Sequence, residues 1–146
     1  MKENVKSVIK FIIRQEKKLF SIVQNIEDKE LTVIEKNVFR DLLRTTEKNI
    51  TLLERDYYGL ADKIKKLPIT NLLLDDFNID VPNKKKFNYQ TNLIFIMKII
   101  DNCSQLLSFV IRKCNDNVLK KMLEDLINEK VQLKQRIESI YNKIIT

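Results

Sequence analysis

The sequence predicts an all-α four-helix bundle, and three observations carry that prediction. Four long stretches each hold an apolar seam at helical spacing. One glycine and two prolines in 146 residues leave little material for tight turns. Hydrophobic residues make up 44% of the chain, enough for a packed core, and the length suits a single domain over 1–146.

The first helix is expected over about 3–27. Val5, Ile9, Ile12, Glu16, Leu19, Val23 and Ile26 alternate spacings of four and three, which keeps them on one face. Glu27, Asp28 and the following Lys29 mark a short turn. The second helix, about 29–66, repeats the pattern with Phe39, Leu43, Thr46, Ile50, Leu53, Tyr57, Leu60 and Ile64, and Gly59 weakens it near its end. The third, about 89–113, carries Leu93, Ile96, Ile100, Cys103, Leu107 and Val110, with Cys114 continuing the seam. Asn115-Asp116-Asn117 forms the next turn and offers an Asn or Asp as helix cap. The fourth, about 118–144, carries Leu119, Leu123, Leu126, Lys130, Leu133, Ile137, Ile140 and Ile144.

Between the second and third helices the pattern breaks. The connection 67–88 contains Pro68, Asp75, Asp76, Asn78, Pro82, Asn83 and the run Lys84-Lys85-Lys86. Pro82 is incompatible with a helix interior. Leu72, Leu73, Leu74, Phe77 and Ile79 are too apolar for a free linker and are expected to lie against the bundle. Short turns near 28 and 116 imply antiparallel hairpins. A connection of this length can run from one end of a bundle to the other, since extended chain covers over 3 Å per residue. Two hairpins joined by one long crossover is the expected topology.

Composition excludes several chemistries. The chain has no histidine, which removes Ser/His and Cys/His nucleophile pairs, imidazole ligands and imidazole proton shuttles. Cys103 and Cys114 are three helical turns apart, about 16 Å, too far for a disulfide within one intact helix. Both are expected to act as small core hydrophobes in a reducing, cytoplasmic compartment. The net charge is +7. Basic and acidic residues mix in every segment, which describes solvated helix faces better than a nucleic-acid surface. The longest purely apolar runs are a few residues, so no membrane span is expected. Lys2, Glu3, Lys6 and Lys10, with no small-residue cleavage site, argue against a secretory leader. Tyr57, Tyr58, Tyr89 and Tyr141 are expected to pack with the hydroxyl outward.

An internal repeat accompanies the four seams. Leu19-Phe20-Ser21-Ile22-Val23 matches Leu106-Leu107-Ser108-Phe109-Val110, and the same offset of 87 carries Glu16 onto Cys103. Thr46 maps onto Lys130 at an offset of 84. Each seam is thus interrupted once, near its middle, by Glu16, Thr46, Cys103 or Lys130.

The two-hairpin repeat resembles the rubrerythrin branch of the ferritin-like family. In that family the first helix of each hairpin offers a Glu inward and the second offers Glu-x-x-His, six side chains holding two metal ions. Phe39, Leu42 and Leu43, then Thr46 and Asn49, stand where the family has its apolar lead-in, its Glu and its His. Leu123, Leu126 and Ile127, then Lys130 and Leu133, do so in the other hairpin. Of six implied ligands only Glu16 survives in register, with Cys103 at its counterpart. The resemblance implies a ferritin-like bundle whose metal site is vestigial at Glu16, Thr46, Asn49, Cys103, Lys130 and Leu133, with no cofactor.

A second set of side chains competes. Slipping the register gives Glu16, Glu47, Asp101 and Glu129, an all-carboxylate set suited to hard cations. The slip turns its members about 100° off the seam in the second and fourth helices, and metal sites need convergent ligands. The expectation is therefore a non-catalytic bundle with a structural or protein-interaction role, forming a homodimer. The alternatives are a di-iron-type redox or iron-handling protein using carboxylates alone, or a secretion- or flagellum-type helical chaperone presenting an amphipathic groove. Glu16 and Lys130 are expected to meet in the bundle interior, because an unpaired buried charge is costly.

Overall fold

The structure, a computed structural model, describes residues 3–26, 31–63, 68–69, 74–79 and 88–145. It is an all-α four-helix bundle. The helices are α1 (Val5–Gln24), α2 (Val33–Lys63), α3 (Tyr89–Arg112) and α4 (Asn117–Ile145). Two-residue strands β1 (Glu3–Asn4) and β2 (Pro68–Ile69) and a 3-10 turn at Leu74–Phe77 complete the described elements.

The helix ends differ from expectation for identifiable reasons. Glu3 and Asn4 pair antiparallel with Ile69 and Pro68, so α1 begins only at Val5; helical periodicity cannot reveal a partner so distant in sequence. Thr32 caps the start of α2: its Oγ1 accepts from the Glu35 amide and donates to Glu35 Oε1, each at 3.1 Å. Asn88 caps α3 by accepting from the Thr91 amide at 2.7 Å. Asp116 caps α4 by accepting from the Leu119 amide at 3.0 Å, so the acid of the Asn-Asp-Asn turn does the capping. Gly59 does not end α2, which continues to Lys63. The predicted turn at 27–30 and the predicted end of the second helix at 64–66 lie outside the described residues.

The helices form a square. α1 packs on α2 and α3, and α4 packs on α3 and α2, which leaves α1 diagonal to α4 and α2 diagonal to α3. Across α2 and α4, Arg136 Nη1 meets Asp41 Oδ2 at 2.9 Å. Seven residues later in α2 and seven earlier in α4, Lys48 Nζ meets Glu129 Oε1 at 3.3 Å.

The core follows the seams of α1, α3 and α4 closely. Leu119, Leu123, Leu126, Lys130, Leu133, Ile137 and Ile140 are all buried, and only Ile144 of the predicted α4 seam stays exposed. In α2 the predicted Phe39, Thr46 and Leu53 are buried, but Leu42 and Asn49 are buried beside them while Leu43 and Ile50 are half-buried. Neighbouring positions satisfy a three- or four-residue step equally well, and contact with α1 and α4 decides between them. The buried sets repeat: Ile9, Ile12, Glu16, Leu19 and Val23 correspond at the offset of 87 to Ile96, Ile99, Cys103, Leu106 and Val110. Phe39, Leu42, Thr46, Asn49 and Leu53 correspond at 84 to Leu123, Leu126, Lys130, Leu133 and Ile137, and the caps Thr32 and Asp116 share that offset.

The described part of the crossover lies over α1 and α3. Leu74, Phe77 and Ile79 are partly buried against the core. Asn102 Nδ2 donates to the Phe77 carbonyl at 2.9 Å, Gln15 Nε2 donates to Asn78 Oδ1 at 3.2 Å, and Lys18 Nζ donates to the same oxygen at 2.9 Å. Leu72, Leu73, Pro82 and Lys84 to Lys86 lie outside the described residues. Beyond the crossover, Tyr89 packs edge-on against Phe39, and its hydroxyl donates to Glu35 Oε2 at 2.6 Å instead of facing solvent. This contact ties the start of α3 to the start of α2.

One expectation needs correction. α3 is long and apolar enough, by length and composition, to cross a membrane. Counting uninterrupted apolar runs missed this, because isolated polar residues such as Asn92, Asp101 and Asn102 break the run without lowering the average much. In the bundle, eight of its residues are buried, from Leu93 to Val110.

Thr32→Ala and Asp116→Ala should each lower stability by about 1 kcal/mol, since each frees a helix-end amide. Thr51→Ala, whose hydroxyl only bonds back to the Glu47 carbonyl, should cost less than half as much. Urea denaturation of the three variants checks the difference.

Candidate functional site

Each helix sends one non-aliphatic side chain into a single layer at mid-bundle: Glu16 from α1, Thr46 from α2, Cys103 from α3 and Lys130 from α4. All four are the predicted seam interruptions, and all are 0–2% exposed. Lys130 Nζ lies 2.9 Å from Glu16 Oε2. The approach is charge against charge without hydrogen-bond alignment, so Oε2 has no hydrogen-bond donor among the described residues. The directed bond from Lys130 Nζ goes instead to Thr46 Oγ1, at 2.6 Å.

The chemistry of this layer is electrostatic. A carboxylate and an ammonium removed from water each carry a desolvation cost of several kcal/mol, offset when they meet. Burial pushes the Cys103 thiol well above its ordinary range, and the Glu16 carboxylate pushes it further, with Lys130 opposing. Cys103 is therefore held as a neutral thiol, a poor nucleophile and a poor metal ligand. One turn from Thr46 and Lys130, Asn49 and Leu133 are also buried, and Asn49 Oδ1 has no hydrogen-bond partner among the described residues.

The structure therefore gathers Glu16, Thr46, Cys103 and Lys130 and buries Asn49 and Leu133 on the same helix faces. It does not gather the alternative carboxylates. Glu47 is exposed, Asp101 pairs with Lys134 at 2.7 Å, and Glu129 pairs with Lys48 at the surface. Rotation of about 100° per residue turns Glu47 and Glu129 away from the interior that holds Thr46 and Lys130. Among the described residues no three His, Cys, Asp or Glu side chains come together as a metal-ligand group.

Sequence reasoning missed Gln15. It is 2% exposed, with Nε2 bonded to Asn78 and Oε1 without a partner among the described residues. Its position next to Glu16 gives no local sign of burial; the crossover lying over α1 supplies it. No family model matches this chain, and comparison with curated proteins and with solved structures likewise finds no match.

Two outcomes follow from this layer. Lys130→Met leaves Glu16 buried and uncompensated, and Glu16→Gln does the same to Lys130, so each should cost about 3–5 kcal/mol, whereas the double variant should be close to neutral. Chemical denaturation of the four proteins measures the coupling. Stability should also fall as pH rises above about 9. There the unfolded chain loses the Cys103 proton at its ordinary value of 9.0 while the native state keeps it. The native state then binds more protons, and the loss reaches about 1.4 kcal/mol per pH unit for that one group. Tyr89 acts in the same direction above 10.0, because burial and Glu35 raise its pKa. Stability curves of wild type and Cys103→Ala between pH 8 and 11 should therefore differ in slope, the variant being flatter.

Proposed function

We propose that this chain is a non-catalytic, ferritin-like helical bundle with a structural or protein-interaction role, in which an internal ion pair stands in place of a di-metal centre. The observation that carries this is the 2.9 Å contact between Lys130 and Glu16 in the layer where the resemblance puts metal ligands. A metal ion would supply positive charge to an inward glutamate; here an ammonium from the opposite helix does so. The neutral thiol at Cys103 and the Leu133 side chain at a ligand position offer nothing for redox or acid–base work.

Support for the ferritin-like topology of two antiparallel hairpins comes from four contacts. The Asp41–Arg136 and Lys48–Glu129 pairs run in opposite senses along α2 and α4. Tyr89 ties the start of α3 to the start of α2. The β1–β2 pairing puts the chain just after α2 beside the start of α1, so the crossover must then travel the length of the bundle to reach Tyr89. The repeated burial register supports two equivalent hairpins. A cytoplasmic location fits two free, buried cysteines. A homodimer is the proposed form, and the exposed Val33, Ile34, Ile144 and Ile145 support association.

Elemental analysis of protein purified without chelator should find iron and manganese far below one atom per chain. About two metal ions per chain, lost in Glu16→Ala, would overturn the proposal in favour of a di-metal protein. Analytical ultracentrifugation checks the dimer separately.

A further inference from the structure

The α2/α4 face carries a ladder of cross-helix pairs with one step missing. Asp41 faces Arg136 at one end and Lys48 faces Glu129 at the other, each as an ion pair. Between them α2 presents Arg44 and Thr45, and α4 presents Gln132 and Leu133. The pairing direction sets Arg44 opposite Leu133, an apolar residue where the neighbouring steps have an acid facing a base. Arg44 is exposed and has no ion-pair or hydrogen-bond partner among the described residues. A cleft of about 320 Å3 opens at this step, with the buried Leu133 among its lining residues.

We propose that this cleft binds a small phosphate monoester, with Arg44 holding the phosphate. Of the lining charges, Asp41 pairs with Arg136, and Glu129 pairs with Lys48 from outside the cleft, so Arg44 is the lining cation with no ion-pair partner among the described residues, on a chain of net charge +7. A guanidinium offers a planar fork of donors suited to phosphate oxygens. The Thr45 hydroxyl and the Gln132 amide add neutral donors from both helices, more than a planar carboxylate needs and suited to a tetrahedral group with three free oxygens. The volume lies at the lower end of small-molecule sites and leaves room for the organic part of an ester. This site is separate from the buried Glu16–Lys130 layer and does not depend on the absence of a metal there.

The test is an NMR amide titration of the full chain with inorganic phosphate and then glycerol 3-phosphate, at ionic strength held constant with sodium chloride. Saturable shifts concentrated in 41–48 and 129–136 are expected, with the ester bound at least as tightly as phosphate. Arg44→Gln should weaken binding about tenfold, the scale of one charge-assisted contact. Asp41→Asn, which frees Arg136 from its carboxylate, should strengthen it. Arg44 is exposed and unpartnered, so its replacement leaves the fold intact. Unsaturable shifts spread over the lysine faces, or equal affinity in Arg44→Gln, would overturn the proposal. Tighter binding of succinate than of either phosphate would overturn the assignment of ligand class.

Discussion

Lys130 and Glu16 sit 2.9 Å apart with both side chains 3% exposed, on helices that lie diagonally across the bundle and otherwise scarcely touch. Aliphatic side chains tolerate small rotations and slips, because leucine against isoleucine costs little in any register. A buried charge does not tolerate them. Turning α1 or α4 by one residue would move one charge about 100° away and leave the other uncompensated. An apolar pair of similar volume would be about as stable, so the effect of the ion pair is on uniqueness: one polar layer selects one register, as a buried polar residue does in a coiled coil. Thr46 from α2 and Cys103 from α3 complete the layer, so all four helices are indexed at the same height.

The other long-range contacts follow from that indexing. With α1 and α4 fixed, α1 and α3 form the face on which the crossover lies. There, Gln15, Lys18 and Asn102 receive Phe77, Asn78 and Ile79. Among the described residues, the face between α2 and α4 is bridged by side-chain pairs and holds a cleft. The bundle is thus asymmetric although its burial pattern repeats. Among the described residues, the crossover contacts α1 and α3, and the α2/α4 face carries charged and polar side chains.

Corresponding positions of the α1–α2 and α3–α4 pairs differ in kind while sharing burial. Glu16 corresponds to Cys103, Thr46 to Lys130, and Asn49 to Leu133. Each helix pair alone would bring an unbalanced group into the interior: an acid, Glu16, from α1–α2 and a base, Lys130, from α3–α4. Only the combination neutralises them. The charge balance of this core therefore belongs to the assembled bundle.

The sequence by itself determined the four helices and most of the inward faces. It also marked the four interrupting residues of the polar layer, because helical periodicity and the placement of Gly, Pro and capping residues are local properties. α4 shows this best, its buried residues from Leu119 to Ile140 lying on the predicted seam. What the tertiary structure decided were choices that local spacing leaves degenerate or cannot contain. Between the two spacings the α2 sequence allows, Leu42 and Asn49 are buried and Leu43 and Ile50 only half-buried. Glu3 and Asn4 leave α1 to pair with Pro68 and Ile69. Gln15 is buried because Asn78 and its neighbours lie over it. Glu129 and Asp101 are drawn to surface lysines and not to a metal-ligand cluster. Each of these depends on a contact between residues far apart in the chain, where the free energy of burial or pairing exceeds any local preference.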